Sequence, residues 1–570
     1  MSTARAVRVV TEVAALDRLY DWELSEKFAH VAVGDRVRVD LAGRSVRGWV
    51  WEIVDADREL KPLTKWLGFG VPQQMKPVIE WAARRWYGPM ARFLLAASPE
   101  NLVTALPVAP TKAALDGAVL AGVQPFVAGV VRMAPTIDPL GAVLAAYDVT
   151  RHRAGSLLVL VPNEAWARRL AGRLAQRGCA VALSHEWDKM RVSWPVIVGP
   201  RGTAFAPCAH VAGAIVIDAD DEAYRSEASP TWLASDVVRY RCELEGSPWW
   251  VTSPVPSPSL CFGAPNVTVA DNEFHQWPIS DVVDRRLSDP REGALSSDAL
   301  DAAHRALAGD DAVAVAIVLQ RLGAGRLFAC SRCGELARCE LCAQAEIEVD
   351  GLLSCAEHDR VREMFCRACG ATKLRRVRSG VTTLARDVQL QLGHEVTELT
   401  ARSAPDTTLS RVVVGTEAIF TRVRRAGVVI FYDFDQYLLA PRERGRRDAL
   451  LAVAKAGRLC GSRRENRGRV ILQTRRGDDA VLNALTSGNF DDLLREDTET
   501  ARDLLLPPFA ALAQISGEGA AQFAQALASN DVTVSDSGEL WTARASTTEI
   551  LTAHLARTPR PPGRFRVAVT

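Results

Sequence analysis

Between residues 330 and 369 the chain carries seven of its twelve cysteines and one histidine at matching spacing: Cys330-x2-Cys333, Cys339-x2-Cys342, Cys355-x2-His358 and Cys366-x2-Cys369. Thiols paired at this spacing point to metal ligation. Two residues between ligands let one tight turn offer both side chains to a tetrahedral ion, and two such turns complete a closed zinc site. Eight ligands therefore predict two zinc ions. The alternation in "AEIEVDGLLSC" on either side of Asp350-Gly351 predicts a hairpin. That hairpin returns Cys355 and His358 to Cys339 and Cys342, and leaves Cys330, Cys333, Cys366 and Cys369 for the other ion. Sequential pairing, which requires "GELAR" to fold back sharply, is the less favoured alternative. Closed ligand sets leave no position for a reacting water, so both ions are expected to be structural.

The metal assignment rests on a reducing environment. The N-terminal stretch lacks a signal-peptide core, and the most apolar run, residues 117–131, is short and interrupted by proline, so a cytoplasmic protein with no membrane association is expected. There disulfides are disfavoured. The remaining cysteines, Cys179, Cys208, Cys242, Cys261 and Cys460, are scattered singly and read as small buried hydrophobes. With 48% hydrophobic and 24% charged residues the chain has material for several cored domains, and a net charge of +1 excludes a global field for polyanions. Any nucleic-acid surface must be local. The positive charge is carried by 61 arginines against eight lysines, with runs at 373–378, 421–427, 441–448 and 461–469 that suit either phosphate contacts or a solvated face.

Along the chain, residues 1–105 read as a β-rich domain closed by a helix, and 106–128 as a linker. Residues 129–265 alternate short apolar strands ("SLLVLVP", "WPVIVGP", "AGAIVIDADDE") with helical patterns, the rhythm of a parallel α/β lobe. A second such rhythm starts in 266–326, is interrupted by the cysteine block at 327–378 and resumes over 379–484, while 485–570 forms an α+β C-terminal domain. The fold class expected is multidomain α/β: two such lobes, which the family resemblance carried by the motifs below implies are RecA-like and helicase-type, the second with a two-zinc ribbon insertion.

In this order, "LDRLYDWELSEKFAHVAVGDRVRV", "IVGPRGTAFAPCAHVAGAIVIDADDEAY", "PTWLASDVVRYR", "VTSPVPSPS", "VVVGTEAIF", "AKAGRLCG" and "LLLPPFAALAQI" resemble the primosomal protein N-prime (PriA) family of bacterial replication-restart helicases nearly end to end. The family has cysteine where this chain has His358. The resemblance implies a pocket for a nascent-strand 3′ end, with Tyr20 stacking on the terminal base, Asp21 accepting from the 3′-hydroxyl and Lys65 meeting a phosphate. It also implies binding of branched and single-stranded DNA. Primosome and helicase-loading proteins, the replicative helicase and single-strand-binding protein are the partners it implies.

The motor motifs depart from the family. A phosphate loop needs Gly-Lys-Ser/Thr, and no Gly-Lys dipeptide exists in the chain. The family's Asp-Glu-Glu-His is Asp218-Ala219-Asp220-Asp221, which keeps a cation ligand but loses the base. Arg458 remains of two arginines expected at the γ-phosphate, and the second falls on Gly461. Asp218 and Arg458 thus mark a vestigial nucleotide site, and ATP with Mg²⁺ is a doubtful cofactor. The expectation is a restart protein that recognises stalled forks and starts primosome assembly without helicase activity. The alternative is an active ATP-dependent 3′ to 5′ helicase with a divergent phosphate loop.

Overall fold

A computed structural model describes the chain outside residues 1–4, 14–17, 57, 116–127, 270–272, 290–291, 310–313, 321–327, 343–344, 350, 356–357, 359, 377–380, 441–443, 539 and 562–564. Much of the expected linker, Asp350 of the hairpin turn and parts of the arginine runs at 373–378 and 441–448 lie outside the described residues. Two compact units emerge, one comprising 1–131, 138–268 and 497–570, the other 132–137 and 269–496.

The first unit begins with a five-stranded antiparallel sheet in the order Leu19–Glu23, Arg5–Thr11, Arg44–Asp55, Arg36–Leu41, Lys65–Gly68. Alternation drives it: Val7, Val9, Val37 and Val39 are fully buried with Trp22, while the intervening Arg8 and Arg38 face outward. Ala42 and Gly43, both at positive φ (52° and 81°), form the two-residue hairpin turn whose twist matches the strands. The sheet curls until its edges meet, because Glu23 N–H donates to Lys61 O (2.9 Å) and Leu63 N–H to Glu23 O (3.0 Å). Curling forces a close approach at Gly34 (φ 94°), where a Cβ would lie 1.7 Å from Val71 O. Gly34→Ala is therefore expected to destabilise this domain by about 2 kcal/mol or more, read by chemical denaturation.

The same unit contains a seven-stranded sheet in which Val211–Val216, Ser156–Leu160, Val196–Gly199, Val181–Leu183 and Trp249–Ser253 run parallel. Its central strands are buried throughout, as sheets covered by helices on both faces require. A four-stranded antiparallel sheet (Val532–Ser537, Leu540–Ala545, Ala511–Gly517, Phe565–Val569) with helices Ala520–Leu527 and Thr548–Arg557 completes the unit.

The second unit is built on six strands, all parallel, in the order Ile279–Asp284, Arg469–Thr474, Ala426–Phe431, Ala314–Val318, Val412–Gly415, Val396–Leu399. The cysteine block leaves this sheet after Ala314–Val318 and returns to it through helix Val381–Leu392. Among the described residues no helix is long and apolar enough to cross a membrane.

Candidate functional sites

The ends of the cysteine block are tied by strands Phe328–Cys330 and Leu374–Arg376, which pair Cys330 with Leu374. This places two similar turns face to face. In one, Gly334 N–H donates to Cys330 O (3.0 Å), and in the other Gly370 N–H donates to Cys366 O (2.8 Å). Both glycines are left-handed, at φ 76° and 71°. Sequence reasoning passed over this repeated Cys-x2-Cys-Gly, although the pattern is visible in the letters. The turns bring Cys330 Sγ within 3.5 Å of Cys369 Sγ and Cys333 Sγ within 3.5 Å of Cys366 Sγ. Inside them, the hairpin of Ile347–Val349 and Leu352–Ser354 returns the chain. Cys342 Sγ then sits 3.6 Å from Cys355 Sγ, and His358 Nδ1 lies 3.7 Å from Cys339 Sγ and 3.5 Å from Cys355 Sγ.

The pairing is nested, 330/333 with 366/369 and 339/342 with 355/358, and within each group all donor atoms lie within 4.8 Å of one another. Bonds of about 2.3 Å to a tetrahedral zinc place sulfurs about 3.8 Å apart, so both sets fit that ion. Backbone amides support the charged thiolates: Arg332 N–H donates to Cys330 Sγ (3.3 Å), and the Cys342 and Leu341 amides pull the Cys339 thiol down to about 7. Four donors close each set, leaving no open position for a substrate.

An ion network joins the two knuckles. Glu346 is 4% exposed and receives two bonds from Arg362 Nε (3.0 and 2.9 Å) and another from its Nη2. Arg367, between Cys366 and Cys369, pairs with Glu340, between Cys339 and Cys342, at 3.3 Å.

The segment expected to carry a phosphate loop, ahead of strand Ser156–Leu160, contains helix Pro139–Thr150. A phosphate loop joins a strand to a helix whose free N–H groups and positive dipole end receive the anion. Here helix Pro139–Thr150 opens with Asp138, whose carboxylate accepts the Leu140 N–H (3.0 Å), and Pro139 removes a further donor. Burial works against the charge of Asp138, but Arg173 Nη1 (3.0 Å), a second Arg173 nitrogen and the Leu140 amide hold it below the usual carboxylate range. A charged carboxylate thus occupies the N-terminal end of this helix. In the second unit, Arg132 pairs with Glu273 at 2.8 Å and with Asp491, and Thr136 Oγ1 donates to Gln276 O (2.6 Å).

Asp218 is buried at φ 57° with its N–H on Thr252 Oγ1 (3.3 Å). Ala219 is buried beside it, Asp220 accepts the Ser257 N–H (3.0 Å), and Asp221 caps the next turn. Arg458 Nε donates to Pro135 O (3.1 Å). Arg463 donates to Leu485 O (3.0 Å) with its guanidinium 4.2 Å from the centre of the Phe274 ring.

In the N-terminal sheet, Tyr20 packs partly against the core beside Trp22. Asp21, on the opposite side of the strand, is held by Arg8 and Arg58 at 3.4 Å each. Lys65 is exposed and lies opposite Arg38. A different lysine, not singled out in the sequence, meets the hairpin turn: Lys61 Nζ is 3.0 Å from Asp40 Oδ1, which also accepts the Gly43 N–H (3.1 Å). Of the arginine runs, several members are engaged internally: Arg467 with Glu465 (2.7 Å), Arg469 with Asp281 (2.8 Å), Arg446 with Glu496 (3.3 Å).

Fold and sites together define a multidomain α/β chain with two largely parallel sheets, a β-rich N-terminal domain and two closed cysteine-rich ligand sets that fit zinc. Residues 8–99 match the PriA 3′ DNA-binding domain. Over 400 residues, 64% of this chain, it is 22% identical to the replication restart protein PriA of Thermotoga maritima, and it spans 53% of that protein, about half its length. The chain is thus similar to PriA over these stretches. Similar solved structures include Saccharomyces cerevisiae Dbp5 bound to RNA and ADP BeF3 (12% identical, 68% of this chain and 91% of that one, TM-score 0.36). Others are the Pyrococcus furiosus Hef helicase domain (9%, 63% and 95%, TM-score 0.31) and RecG bound to a three-way DNA junction (11%, 68% and 46%, TM-score 0.36).

Proposed function

We propose that this chain is a cytoplasmic DNA-binding replication-restart protein that grips stalled or branched forks and starts primosome assembly without an ATP-driven motor. Residues 1–105 hold the nascent 3′ end, with Tyr20, Asp21 and Lys65 as its contacts. The zinc insertion, 327–378, docks primosome and helicase-loading proteins, and the replicative helicase and single-strand-binding protein complete the assembly. The observation that carries the loss of the motor is Asp138 at the start of helix Pro139–Thr150, an acidic group in the place of a phosphate cradle. Ala219 in place of a water-positioning glutamate and Arg458 engaged by Pro135 O support it. The grip on DNA is supported by the domain match over residues 8–99 and by the likeness to a replication restart protein.

The test is binding of forked DNA with and without a nascent 3′ end, at two salt concentrations, with ATP hydrolysis followed in parallel. Expected are tighter binding of the fork with the 3′ end, a log–log salt slope of about −0.9 per phosphate neutralised, and no DNA-stimulated hydrolysis. Nucleotide-driven unwinding, or indifference to branched DNA, overturns the proposal.

A further inference from the structure

We propose that Arg38 and Arg47 extend the phosphate contact of Lys65 into a track for the nascent-strand backbone, an inference that rests on the end-binding reading of residues 8–99. In the N-terminal sheet Arg38, on strand Arg36–Leu41, stands directly opposite Lys65 on one side and Arg47 on the other. Residues directly opposite each other in antiparallel strands point to the same face. That face is the outer one, because Val37 and Val39, on either side of Arg38, fill the core. Lys65 and Arg47 are exposed, and Arg38 is partly so.

The neighbouring acids are already taken. Glu12, whose N–H donates to Arg47 O (2.9 Å), pairs with the buried Arg36, and Asp40, two residues along from Arg38, pairs with Lys61 (3.0 Å). Among the described residues no carboxylate pairs with Arg38, Arg47 or Lys65. Like charges directly opposite one another weaken a sheet, so the fold does not account for this row. Adjacent strands lie about 4.8 Å apart, so three positions in a row span about 10 Å, about three phosphate steps along one nucleic-acid strand. Cations in line at this spacing suit a phosphate backbone and carry no information about base sequence. Lys65, the phosphate contact in the end-binding reading, is one end of the row, and the phosphates behind the terminal nucleotide then pass Arg38 and Arg47.

The experiment uses the full-length, metal-loaded chain and one fork made with and without a nascent strand, each titrated at several salt concentrations. On the fork with the nascent strand, Arg38→Gln and Arg47→Gln are each expected to flatten the log–log salt slope by about 0.7–0.9, one phosphate contact, and to weaken binding about three- to tenfold at low salt. On the fork without it the loss is expected to stay under about twofold. Arg47→Lys keeps the charge and is expected to keep the slope. Lys27→Gln removes the same charge from an exposed position outside the row and is expected to leave the slope unchanged. Because the repulsion is relieved, both Arg→Gln variants are expected to unfold at the wild-type denaturant concentration or a higher one. Wild-type slopes in those variants, an equal loss in Lys27→Gln or on both forks, or unfolding at lower denaturant overturns the inference and leaves end recognition in place. Wild-type binding that ignores the nascent strand is a distinct result: it removes end recognition itself, and this inference with it.

Discussion

Stripping the metal is expected to unfold residues 328–376 while both parallel sheets remain intact. The apolar material inside the cysteine block is slight: Ala329 and Leu336 pack with Leu439 in one small cluster, and Phe328, Ala337 and Leu353 form another. Its strands are two or three residues long, far below what stands alone in water. A structural zinc contributes about 10–16 kcal/mol of apparent binding free energy to a domain of this kind. Without it, crowded thiolates must protonate or repel. The strands that carry the block are a different case, since Val315, Ala316, Ile317, Val412, Val413 and Val414 are fully buried in a sheet of six.

Two zinc ions per chain are expected, and chelation should open protease cleavage within the block before cleavage elsewhere. Cys330→Ser and Cys339→Ser should each lower the stoichiometry by one ion, from the outer and inner sites respectively. His358→Cys should keep both ions, because a fourth thiolate fills the same tetrahedral corner. A stoichiometry well under two, or a proteolysis pattern unmoved by chelation, would remove the structural role of the clusters.

The metal sites were legible in the letters because their information is local. Spacing defines each turn, and the alternation around residue 350 defines the return that nests one site inside the other. Other parts depend on partners distant in sequence. The lack of a Gly-Lys dipeptide is plain in the letters, but that Asp138 occupies the helix terminus depends on the helix start and on Arg173, a residue one helix away. Lys61 comes to the Asp40–Gly43 turn only because the N-terminal sheet curls and joins Glu23 to Lys61 and Leu63, a closure no periodicity encodes. The arginine runs are ambiguous for the same reason. A run shows charge, whereas Glu465, Asp281 and Glu496 decide which guanidiniums are already engaged.

Breaking the buried pair between the knuckles is expected to cost more than removing it. Arg362 is 12% exposed and Glu346 4%, so Arg362→Met leaves a carboxylate whose remaining ion pair among the described residues is with Arg367, 3.9 Å away. A buried charge that loses its partner typically costs about 3–5 kcal/mol, while replacing both members by apolar groups of similar size is often neutral. Glu346→Leu strands Arg362 in the same way, although Arg362 keeps a bond to Phe365 O (2.6 Å) and lies 5.4 Å from the centre of the Phe365 ring. The single changes are therefore expected to loosen the metal module, with Arg362→Met the more severe, and the double change to recover most of the loss. Metal retention under a chelator titration reads all three, and a coupling energy follows from the cycle. Because Arg367 and Glu340 also join the two knuckles, the loss should appear at both ions together. Additive single losses, or a loss confined to one ion, would mean that the two sites stand independently and that the network between them is only a solvated rim.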